Sequence, residues 1–169
     1  LGYIGKLGKQ NTFIILDPSL KRIRKIKKYL SSSDNNFVFI VGKPENLPVK
    51  NGAVDFYIDD YSTVNSLFTY NSFSTEMISP LIKPGGEVAG IFTSYNNAPK
   101  SLNNFKDNHP DFVPEKMTFA GLKHNWSLSG IKVTELKNTG RTTAGELHFP
   151  QNAPGEIIEV LGYHAVKSR

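Results

Sequence analysis

Cysteine is absent from the 169-residue chain, so neither a disulfide framework nor a cysteine-ligated metal site can form. Long apolar runs are absent too. None approaches the roughly 20 residues that a bilayer-spanning helix needs, and nothing resembles a cleavable signal. Together these absences fit a cytoplasmic protein. His109, His124, His148 and His164 share no metal-ligand spacing with one another, and no metal site is expected. Serine nucleophile elbows, phosphate-cradling lysine loops, internal repeats and low-complexity segments are also missing.

What remains is ordinary globular composition, 38% hydrophobic and 21% charged, at a length suited to one domain over residues 1–169. The net charge of +5 is unevenly spread. Residues 20–30, LKRIRKIKKYL, hold Lys21, Arg22, Arg24, Lys25, Lys27 and Lys28, while Leu20, Ile23, Ile26 and Leu30 recur at helical spacing. This predicts an amphipathic helix with a basic outer face. One reading of that face is a nucleic-acid-binding stripe. With no aromatics interleaved for base stacking, a solvated helix face is the simpler one.

Along the chain, residues 1–8 read as the tail of a helix closed by Gly8. NTFIILD and FVFIVG are continuous apolar runs, the pattern of strands buried on both faces, and they flank the basic helix. AVDFYID is a third strand after the loop KPENLPVKNG. Residues 63–82 read as mostly helical, and KPGG then turns the chain into a fourth strand, EVAGIFTSY. After Tyr95 come a polar loop with a short helix, a helix ending at Gly130, and two strands, IKVTELKN and EIIEVLGYHAVK, joined by a long connection. Strands alternating with helices predict an α/β, Rossmann-like doubly wound sheet, mostly parallel. With no helix between them, the last two strands should pair antiparallel.

In such sheets ligands bind outside the carboxyl ends of the strands. Asp17 ends the first visible strand, where an acid can accept hydrogen bonds from both ribose hydroxyls of a nucleoside, cap the basic helix, or do both. Gly42, Lys43 and Pro44 end the second. Asp59 and Asp60 end the third, and on an extended chain they point to opposite faces, so at most one serves a given pocket. Asp59 is the favoured one, with Asp60 capping a helix that begins near Ser62 or Thr63.

The series FIILDPS, VGKPENLPVKNGAVDFYIDDYS and LIKPGGEVAGIF resembles the class I S-adenosylmethionine-dependent methyltransferases over Leu1 to about Phe92. The resemblance implies that S-adenosyl-L-methionine is the cofactor. It implies Asp17 on the ribose hydroxyls, Pro18 near the adenine ring, Lys43 and Pro44 at the adenine edge, and Asp59 near the methionine part. Where that family has an acid after the glycine, this chain has Lys43, which cannot accept a hydrogen bond from the adenine amino group. The family's first strand and glycine-rich turn would precede Leu1. Because that strand lies centrally in the family's sheet, the expectation is that residues before Leu1 supply it.

His124 and Trp126, in the late helix, stand where family members often build a substrate wall, although such residues also simply pack. Tyr61 is a further wall candidate, and His148 in the long loop could act as a general base or merely be exposed. No Asn-Pro-Pro-Tyr-like tetrapeptide follows residues 54–59, so methylation of base amino groups gains no support, and a nucleic-acid acceptor is only weakly indicated. No catalytic residue is singled out, since methyl transfer chiefly needs alignment of donor and acceptor. The leading expectation is a methyltransferase of unknown acceptor. The alternatives are a non-catalytic ligand-sensing or partner-binding relative and a nicotinamide-dependent oxidoreductase, against which LIKPGG and the antiparallel ending argue.

Overall fold

Phe13, Ile15, Phe37 and Phe39 alternate with other residues along two short runs, and that spacing puts all four on one face of a strand pair. The computed structural model describes residues 11–31, 35–42, 47–60, 75–108, 113–143 and 153–169. Strand β1 (Thr12–Asp17) pairs in parallel with β2 (Asn36–Val41), Phe13 opposite Phe37, their rings stacked at 5.3 Å. Helix α1 (Leu20–Leu30) joins them, the crossover a parallel pair requires. Ser19 caps α1, its hydroxyl accepting from the Arg22 N–H at 3.3 Å, and Ile23 is the residue of α1 that is fully buried. Burial on both faces does not hold for these strands, since Ile14 and Val38 remain 44% and 46% exposed.

The chain divides into two compact units, Leu1–Pro48 and Val49–Arg169. The second contains a four-stranded sheet in the order β3-β4-β6-β5, built from β3 (Val54–Asp60), β4 (Ile82–Ser94), β5 (Ile131–Thr143) and β6 (Ile157–Lys167). β3 and β4 are parallel, whereas β6 runs antiparallel to both β4 and β5. The final pair is therefore antiparallel, as the absence of a helix between them predicts.

Three boundaries differ from the sequence reading. Ile82 is not helical: α2 (Thr75–Ile78) and a 3-10 turn (Ser79–Leu81) end just before it, and it starts β4. KPGG does not precede the fourth strand but lies inside it. Val54 faces Ile82 and Phe56 faces Glu87, so the intervening residues of β4 bulge out of register. Gly85, at φ 76°, takes the left-handed conformation that this excursion needs. β5 also continues to Thr143, so residues 139–143 are strand rather than connection; a second bulge lies between Asn138 and Gly140. Residues 1–10 and 61–74, assigned to helix in part from the sequence, lie outside the described residues.

One face of this sheet carries the core. Val88, Gly90 and Phe92 of β4 stand opposite Ala165, Tyr163 and Leu161 of β6, and the five side chains are buried. Helix α4 (Phe119–Leu128) begins at Thr118, whose hydroxyl accepts from the Gly121 N–H at 3.1 Å. Its buried Leu122 and Trp126 are four residues apart on one face, and the Trp126 ring lies 6.2 Å from that of Tyr163. At about 1.5–3 kcal/mol for each large apolar side chain, this face dominates the stability of the unit. Among the described residues no helix is long and apolar enough to cross a membrane.

Candidate functional site

Each parallel strand pair delivers an acid to its carboxyl end. Asp17 closes β1 beside Val41, the last residue of β2, and the Gly42 N–H donates to the Asp17 carbonyl at 3.3 Å. Its carboxylate sits at the strand tip with the side chain 19% exposed. Oδ1 accepts from the Ser19 N–H at 2.7 Å and from Arg22 Nε at 3.0 Å. The capping role is therefore present in a modified form, with Ser19 as the N-cap and Asp17 holding Ser19. Both bonds converge on one oxygen. Pro18, next in the chain, is exposed.

Asp59, at the end of β3, is buried and fully enclosed. Its Oδ2 accepts a 2.8 Å hydrogen bond from the Tyr163 hydroxyl. Between them lies Gly90, which pairs with Asp59 on one side and with Tyr163 on the other. A Cβ at position 90 would fall 2.6 Å from the Tyr163 ring, so the absence of a side chain lets the phenol cross β4 to reach the carboxylate. Burial first, and then the charge of Asp59, push the Tyr163 phenol above its usual range, which keeps it a donor. Nothing in the spacing of GYH marked Tyr163. The signal lies in register, a glycine flanked across the sheet by an acid and a tyrosine.

Past the carboxyl end of β4 the chain turns through Asn96 and enters α3 (Pro99–Asn108). The start of α3 is capped from a distance. Glu156 accepts from the N–H groups of Lys100 and Ser101 at 2.9 and 2.8 Å and from the Ser101 hydroxyl at 2.7 Å. Burial raises the Glu156 carboxyl, but the Ser101 hydroxyl, the two N–H groups and the Lys100 charge outweigh it and hold the group below its ordinary value of 4.5. Beside this cap is an open cavity of about 360 Å³, lined by Asn97, Arg141, Gly155, Glu156, Ile157 and Glu159. Ser94 pairs with Glu159, and Glu159 with Arg141, so the cavity lies by the carboxyl end of β4, where β5 ends and β6 begins. The sequence reading missed this cavity because its residues come from three separate segments.

Of the proposed wall residues, His124 is exposed on α4, while Trp126 is fully buried against Tyr163. Lys43, Pro44, Tyr61 and His148 lie outside the described residues. Within the second unit, Asp59 and Trp126 are thus brought to one buried cluster around Tyr163. Among the described residues no group of three or more histidines and carboxylates is placed to hold a metal ion.

No family model and no curated protein matches this sequence. Solved structures do match in fold. A Bacillus halodurans protein assigned as a methyltransferase aligns over 94% of this chain and 84% of its own, with a TM-score of 0.64 at 9% identity. The fold is that of the S-adenosylmethionine-dependent methyltransferases. One such methyltransferase from Methanosarcina mazei aligns over 93% of this chain and 82% of its own, with a TM-score of 0.56 at 11% identity. A 16S rRNA (adenine(1408)-N(1))-methyltransferase from Catenulisporales acidiphilia, solved with its cosubstrate, gives 0.57 at 16% identity over 92% and 75% of the two chains. The methyltransferase fold explains the strand pattern here, a parallel set ending in the antiparallel β5–β6 pair.

Proposed function

We propose that this chain binds S-adenosylmethionine and passes its methyl group to an acceptor. The observation that carries the reading is Asp17: a carboxylate fixed at the carboxyl tip of a parallel strand, with both of its bonds on Oδ1. That leaves Oδ2 for the ribose hydroxyls, and the preorganised rotamer lowers the entropic cost of gripping them. Pro18, exposed next to Asp17, would lie against the adenine, and the resemblance assigns the adenine edge to Lys43 and Pro44. The bound donor supplies an electrophilic methyl on a sulfonium. The protein's own part is alignment, together with proton removal where the acceptor carries one.

Titration calorimetry with S-adenosylmethionine, S-adenosylhomocysteine and NAD tests the reading. Saturable binding of the first two is expected. Two charge-assisted hydrogen bonds are worth about 3 kcal/mol together, so Asp17→Ala should weaken binding by roughly 100-fold or more. Tight NAD binding instead would eliminate the assignment. The second reading, a non-catalytic ligand-sensing or partner-binding relative, draws on the enclosure of Asp59, whose Oδ2 already serves Tyr163. Absence of any nucleoside binding would favour it.

A further inference from the structure

The basic face of α1 has properties that a merely solvated helix does not need. Lys21, Arg24, Lys25 and Lys28 fall at i, i+3, i+4 and i+7, so they form one stripe about 10 Å long at 1.5 Å per residue. All four are exposed, as is Lys27 on the stripe's flank. Arg22 is the exception, since its guanidinium is paired with Asp17 at 3.0 Å. No acid occurs anywhere in the helix. Like charges at these spacings destabilise a helix, and Lys21 also opposes the dipole in the first turn. A solvated helix would normally interleave acids to relieve both effects. The rest of the chain is balanced: the 20 basic residues less these six leave 14, against 15 acidic ones. The protein's positive excess is therefore concentrated on one 11-residue element.

Tyr29 sits four residues beyond Lys25 and is 66% exposed. It follows the run of cations rather than interleaving with them, and supplies an open aromatic ring at the end of the stripe. The opposite face of α1 is already used, with Ile23 buried and Ile26 and Leu30 half-buried as the helix packs on β1 and β2. A helix that binds a membrane surface inserts its apolar face, and α1 has committed that face to its own unit. Cations in a row beside an exposed ring match a single-stranded nucleic acid, whose phosphates meet the stripe while a base stacks on the ring. We infer that the outer face of α1, centred on Lys21, Arg24, Lys25, Lys28 and Tyr29, is a docking surface for single-stranded nucleic acid. The inference uses the helix alone and does not depend on Asp17 holding a methyl donor.

Fluorescence polarisation of the chain with a labelled oligouridylate of about 12 nucleotides, within the site size of single-strand binders, tests it. Binding should weaken with salt, with a log–log slope of about −0.7 for each phosphate contacted, or about −3 for the four stripe residues. R24E combined with K28E should lower affinity at least ~10-fold and flatten the slope by about half. K21Q combined with K25Q, a milder change on the same stripe, guards against misfolding of the first variant, and circular dichroism should show both folded. Tyr29→Ala should reduce affinity about 5-fold or more while leaving the salt slope unchanged. Wild-type affinity in both charge variants would overturn the inference. So would tighter binding to phosphatidylserine vesicles, or equal binding to polyglutamate.

Discussion

Replacing Glu156 should loosen the junction between α3 and the start of β6, and the structure sets the size of the effect. Glu156→Ala deletes three hydrogen bonds to an ionised acceptor. The Lys100 N–H is exposed enough for water to take over, so its loss costs little. Ser101 is different: it is fully buried, and its hydroxyl also accepts from the Ala153 N–H at 2.9 Å. Without Glu156, its N–H and O–H both lose their acceptor, at about 1–3 kcal/mol for each buried unsatisfied group. Loss of a helix cap alone costs about 1 kcal/mol. A net of about 3 kcal/mol follows, which for a chain of this length lowers the melting temperature by about 10 °C. Glu156→Gln keeps one acceptor oxygen and should cost about half as much.

The sign with pH is fixed by the depressed carboxyl. Its stabilisation is fully present above the ordinary value of 4.5 and is lost as pH falls from there through the lower folded value. Thermal melts followed by circular dichroism from pH 7 downward should therefore show wild type and Glu156→Gln converging in acid. Equal melting temperatures at pH 7, or a gap that widens in acid, would refute the account of the cap.

Gly90→Ala should destabilise by about 1–3 kcal/mol by forcing a buried ring aside, since the new Cβ would stand 2.6 Å from Tyr163; urea unfolding measures it. Tyr163→Phe removes a donor from a buried carboxylate and should cost about 2–3 kcal/mol; a double-mutant cycle with Asp59→Ala, which deletes the acceptor, should show coupling, and strict additivity would deny the bond. Because the Tyr163 phenol is raised in the fold, wild type should also lose stability as pH climbs past 10, a component absent from Tyr163→Phe. Lys167 donates to the carbonyls of Ser79 and Ile82, so Lys167→Met should cost about 1–2 kcal/mol and act at the entrance to β4.

Local pattern determined much of this protein. Continuous apolar runs gave β1, β2 and β3, and the apolar spacing of LKRIRKIKKYL gave α1 to the residue because that periodicity survives any packing. The position of Asp17 at the end of β1 was legible for the same reason, being the last residue of a run whose end is marked by Pro18 and Ser19. The antiparallel β5–β6 pair followed from the missing helix between them. Tertiary structure decided the rest. Whether KPGG ends a strand or bulges within one depends on the register against β3, which no single segment encodes. Tyr163, which donates to Asp59, lies 104 residues away from it and is reachable only because Gly90 stands between. The cavity beside Glu156 likewise assembles from a loop, a strand end and a strand start. A sequence carries the periodicity of each element faithfully, but cross-strand neighbours exist only once the strands have paired.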